Sequence, residues 1–120
     1  MNYLFVLWSD ESLMEGVTPE QMKESLAIWT AYTDSLREAG VFIAGEGLSP
    51  TSSATTVSVR DGQRIVSDGP FAETKEQIAG FYLIDVENLD TAMSWAEKVP
   101  STQHGGRIEI RPIMDYDAFA

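Results

Sequence analysis

The chain carries one histidine, His104, in the stretch "STQHGGRIEI". Imidazole titrates near neutrality and is the commonest general acid or base. Its place before Gly105-Gly106, read as a hinge beside the last strand, makes His104 the candidate proton carrier. Asp68 is a second candidate, although the sequence shows no partner that must orient His104. Plainer roles compete for both: a lone His in a polar loop is commonly just solvated, and an Asp at a turn commonly caps its own backbone. Lys75 and Arg107 are candidates for holding an anionic group. Phe71 and Glu46 complete the set of candidate ligand contacts.

Asp68, Phe71 and Lys75 fall in one segment, "SDGPFAETKEQIAGFYLIDV" (67–86). Asp68-Gly69-Pro70 punctuates the end of a strand, because Gly permits unusual dihedrals and Pro cannot extend a ladder. Phe71 is expected to anchor this loop in the core, and residues 73–77 to form one helical turn. Loops of this kind carry sites as often as they merely connect elements.

Other chemistries find less support. "GEGLSP" is rich in glycine, but no helix follows it and Glu46 would repel a phosphate. A metal would have to be held by one His, no Cys and scattered carboxylates, and the acids at positions 10, 11 and 15 do not keep calcium-loop spacing. No nucleophile elbow accompanies a Ser-His-Asp set. Arg107, Glu109 and Arg111 alternate with Ile108 and Ile110, the pattern of an edge strand protected by charge. Trp8, Trp29 and Trp95 sit on apolar stripes and read as core.

The elements that must position these residues are legible in pattern. Residues 3–8 form a continuous apolar run, as in a central strand covered on both faces. Thr18, Pro19 and Gln21 open a helix with a capping box, and Met22, Leu26, Trp29, Thr33 and Leu36 give it one apolar stripe. Gly40 stops it. A strand at 41–45 follows, then a hairpin turned at Asp61-Gly62 and an apolar strand from Gly80. Asn88 caps a second helix, which buries Ala92, Trp95, Ala96 and Val99 and ends at Pro100. The last strand holds Pro112, which suits an edge.

The order strand, helix, strand, hairpin, strand, helix, strand is a split βαβ, ferredoxin-like α+β plan with an extra β-hairpin, in one domain spanning residues 1–120. Helices on one sheet face leave the apolar second face of the central strands wet. A homodimer of the dimeric α/β-barrel type, sheet against sheet, is the expected cover.

Charge narrows the partners. Eight Lys+Arg against 19 Asp+Glu leave a net charge of −11, which repels nucleic acid and anionic membrane surfaces. The absence of cysteine excludes disulfides and thiolate chemistry. "YLFVLW" is too short to span a bilayer and has no basic leader, so the expected location is cytoplasmic, with neither signal peptide nor anchor.

The whole chain resembles the YCII-related family in its DGPF branch. The likeness rests on "SDGPFAETKEQIAGFYLIDV", on "AGEGLSP" before it and on "GGRIEIRPI" near the end. It implies a ferredoxin-like dimeric α+β barrel without a cofactor, and an association of some members with alternative sigma factors. Relatives resembling cofactor-free enzymes are thought to use a His on the first helix and an Asp before a Pro after the second. Here the first helix has no His, and Val99 precedes Pro100. That pair therefore does not transfer, which leaves His104 with Asp68 as the substitute.

Two functions follow as expectations. One is a binding or regulatory module that holds a small metabolite near the 68–77 loop. The other is a cofactor-independent acid–base enzyme, of lyase or isomerase type, acting on a small organic substrate. The missing pair favours the first.

Overall fold

The computed structural model describes residues 1–120. Six strands and two α-helices alternate as β1 (Asn2–Ser9), α1 (Pro19–Glu38), β2 (Phe42–Gly47), β3 (Thr55–Arg60), β4 (Gln63–Asp68), β5 (Gln77–Asp85), α2 (Leu89–Ala96) and β6 (Arg107–Pro112). Short 3₁₀ turns occupy Glu11–Met14, Thr51–Ser53, Pro100–His104 and Tyr116–Phe119. Four strands form one sheet in the order β2-β5-β1-β6, with every adjacent pair antiparallel. That sheet is open, not closed into a barrel. β3 and β4 pair only with each other, as a separate two-stranded arm. The protein is therefore α+β, and no helix is long and apolar enough to cross a membrane.

Local chemistry sets the ends of the helices as expected. Thr18 Oγ1 accepts from the Gln21 N–H at 3.1 Å, and Gln21 Oε1 accepts from the Thr18 N–H at 3.0 Å, which satisfies two otherwise orphaned donors. Asn88 Oδ1 accepts from the Thr91 N–H at 2.9 Å to start α2. At the arm's tip both Asp61 and Gly62 have positive φ (52° and 77°), the mirror-image turn that matches the twist of a two-residue hairpin.

Strand alternation divides the sheet into two faces. Tyr3, Phe5 and Leu7 of β1, with Tyr82 and Ile84 of β5, point to the side covered by the helices. There they meet Tyr32 and Leu36 of α1, Ala92 and Ala96 of α2, and Val99. Two hydroxyls fasten this layer. Tyr32 Oη donates to the Trp95 carbonyl at 2.8 Å, and Thr33 Oγ1 shares a 2.8 Å hydrogen bond with Tyr82 Oη. Burial pushes both phenols above the usual range, so they remain protonated.

Two expectations about packing change. The stripe through Met22 and Leu26 predicts burial along all of α1, but both residues are exposed, and Ile28 with them. Only the second half of the helix lies on the core, through Trp29, Tyr32 and Leu36; the first half is uncovered. On the other sheet face Leu4, Val6, Trp8, Phe81 and Leu83 are half-buried without any helix above them. Trp8 therefore belongs to the open face and not to the core.

Candidate functional site

One end of the sheet, with the segment just ahead of β5, forms an open hollow. It measures about 420 Å³, opens to solvent, and is lined by Trp8, Thr74, Lys75, Glu76 and Arg107. Trp8 and Arg107 arrive on neighbouring strands, where they are directly opposite in the β1–β6 register. A register shift in β5 opposite Leu7 and Trp8 turns the chain there, and residues 74–76 run just ahead of that strand. The β1–β6 register therefore fixes the floor, and residues 74–76 supply the wall.

That wall is not a helical turn. Thr74 Oγ1 donates to the Glu76 carbonyl, and Gln77 Nε2 donates to the Thr74 carbonyl. Side chains thus take backbone acceptors that a helix would have used. Gln77 Oε1 accepts from the Glu11 N–H at 3.0 Å, and Glu11 in turn accepts from Thr51: Oε1 from its N–H at 2.8 Å, Oε2 from its hydroxyl at 2.8 Å. Thr51 lies just before the root of the arm, where the Gly69 N–H donates to the Ala54 carbonyl at 2.7 Å.

Charge in the hollow is mixed but accessible. Arg107 Nε lies 3.8 Å from Glu76 Oε1, a long and solvated pair that contributes little to stability and leaves the guanidinium free to turn. Trp8 Nε1 donates to Glu109 Oε1 at 3.0 Å, which fixes the plane of the indole. Asp10 lies within the field of Lys75. Its carboxyl is held below the ordinary value of 3.8, first by the Ser12 hydroxyl (2.7 Å), then by the Ser12 N–H (2.9 Å), with Lys75 a smaller contributor. A depressed folded value means that this contribution is complete above pH 3.8 and is lost as pH falls through the lowered value. In an NMR titration, Ser12→Ala is expected to move the Asp10 midpoint up toward 3.8; an unchanged midpoint would leave the shift to the Ser12 N–H, which the substitution keeps, and to Lys75.

The structure brings Lys75 and Arg107 together and leaves the other candidates apart. His104 is exposed at the end of the Pro100–His104 turn. The glycines after it do not form an open hinge. Gly105 reverses the chain at φ 83°, and the Gly106 N–H donates to the Ser101 carbonyl at 2.9 Å. Asp68 is exposed at the end of β4, opposite Thr55. No hydrogen bond or ion pair joins His104 to Asp68. Glu46 stands opposite Phe81 on β2, outside the hollow.

Phe71 does not anchor its loop: it is 91% exposed, because Gly69 and Pro70 turn the chain off the end of a strand that itself lies away from the core. Trp8, Thr74 and Glu76 line the hollow although nothing in their residue types singles them out. The period-2 alternation of Leu4, Val6 and Trp8 is the signal that places Trp8 there.

Fold and site together define a small α+β protein with an open antiparallel sheet and one mixed-charge hollow at its end. Residues 1–117 match the YCII-related domain, and the chain belongs to that family. It is also similar to an uncharacterized protein of Rhizobium meliloti, at 38% identity over 120 residues that cover 97% of this chain and 94% of the relative.

Proposed function

We propose that this chain is a cytoplasmic, ferredoxin-like homodimeric module that binds a small anionic metabolite with a flat apolar part. The observation that carries the reading is the meeting of Lys75 and Arg107 beside the Trp8 indole in one hollow. Only eight cationic side chains serve a chain of net charge −11, so two of them at one concavity is a concentration of scarce charge. A carboxylate held by the two cations, with its apolar part against Trp8, satisfies the donors and the indole together. Binding is preferred to proton transfer because His104 and Asp68 have no contact with each other or with the hollow.

Area supports the homodimer. The chain exposes 8916 Å², about 2,400 Å² more than a compact monomer of 13.3 kDa. Its radius of gyration is 16.7 Å, where about 14 Å is usual for this length. The half-buried apolar face of β1 and β5 is the natural surface for the second copy.

The test is a thermal-shift screen with aromatic and aliphatic carboxylates on wild type, Arg107→Ala and His104→Ala. A carboxylate that stabilises wild type is expected to bind Arg107→Ala roughly 10- to 100-fold more weakly, the worth of one charge-assisted contact, and His104→Ala unchanged. A ligand lost on His104→Ala but kept on Arg107→Ala would refute this site.

A further inference from the structure

The β3–β4 arm has no cover within its own chain. Every strand residue in it except Thr56 is exposed. A two-stranded hairpin is marginal by itself, and the Asp61-Gly62 turn sets its register without burying anything. Its two faces differ. Thr55, Val57, Val59, Arg64, Val66 and Asp68 share one, as opposed pairs in the register, while Ser58, Arg60, Gln63, Ser67 and Ile65 lie on the other with Thr56. The first face is apolar through three valines, of which Val59 is 71% exposed.

A second uncovered surface lies on the same chain. The first half of α1 presents Met22 and Leu26, one turn apart on the same face, without a partner, Leu26 being 65% exposed. Neither Arg60 nor Arg64 has an ion pair of its own.

We propose that the valine face of the arm is a clasp for a second copy of this chain, and that in the dimer it lies on the uncovered first half of the partner's α1. The proposal rests on the homodimer reading above and names an element that extends that interface. Two observations carry it. The arm is the electrically balanced part of a strongly acidic chain: residues 55–68 hold two Arg and two Asp, so another acidic copy does not repel it. The excess area of about 2,400 Å² per chain falls in the range of obligate dimers, and each strand of the arm reaches about 20 Å, enough to cross onto a neighbour.

The test combines light-scattering mass with cross-linking. Val57→Asp with Val59→Asp, both on exposed positions, is expected to raise the dimer dissociation constant roughly a hundredfold, while Ser58→Asp on the opposite face leaves it near wild type. Because the chain has no cysteine, Leu26→Cys combined with Val59→Cys gives an unambiguous readout: oxidation is expected to yield a covalent dimer. A wild-type dimer whose dissociation ignores the valine substitutions would overturn the clasp while leaving the homodimer standing. A disulfide closed within one chain would overturn it too. A wild type that stays monomeric at high micromolar concentration would take down both readings.

Discussion

Phe5→Ala is expected to lower the free energy of unfolding by about 3–5 kcal/mol, the range for removing a buried phenylalanine and leaving its cavity. Phe5 is fully buried at the centre of β1, opposite Tyr82 on β5 and Ile110 on β6. Both helices close over this point through Tyr32, Leu36, Ala92 and Ala96. Neighbours on a hydrogen-bonded sheet cannot move in to fill the space, so the loss should fall near the upper end of the range. A chain of 120 residues has about 6–18 kcal/mol in total, so this one change removes a large share of it. Denaturant melts at fixed protein concentration measure it directly. A loss below about 1 kcal/mol would show that the helices do not pack over β1 as described.

Gly80→Ala tests how closely β2 and β5 approach. A Cβ at Gly80 would stand 2.6 Å from the Glu46 carbonyl oxygen and 3.1 Å from the Gly47 Cα, both backbone atoms that cannot rotate away. The strands must part locally, and the expected loss is about 2–3 kcal/mol, the upper part of the range for overpacking. Gly47 lies directly across from Gly80, yet a Cβ there would meet nothing within 4 Å. Gly47→Ala is therefore the matched control, expected to be neutral or slightly stabilising because alanine loses less entropy on folding. If the two substitutions melt alike, the asymmetry of this strand contact is wrong. Amide exchange on β2 should report the same difference, with faster exchange near Glu46 in the Gly80 variant alone.

What the sequence made legible was what neighbouring residues decide among themselves. The Thr18–Gln21 box, the Asn88 cap, the Asp61-Gly62 turn and the edge position of Pro112 all depend on contacts a few residues apart or on one residue's missing donor. The central place of β1 and β5 also follows, since runs that are apolar on both faces belong in the middle of a sheet. Distance defeated the rest. Periodicity shows which side of α1 is apolar but not where the surface beneath it ends, so Met22 and Leu26 read as core. Phe71 read as an anchor because aromatic residues are usually buried, and only the detachment of the arm explains why it is not. Lys75 and Arg107 were both named from residue type. Trp8 was missed because alternation gives two apolar stripes on β1 and does not say which one the helices take.

The hydrogen bonds behind the hollow make its wall and the arm mechanically continuous. Gln77, Glu11 and Thr51 form an unbroken chain from the 74–76 backbone to the segment that roots β3. Its central member is a carboxylate, and hydrogen bonds to charged groups are worth about 1.5–3 kcal/mol each. Displacing Thr74 while the root of the arm stays still would break at least one bond of that chain. Thr74 and the root of the arm are therefore restrained against each other through Glu11.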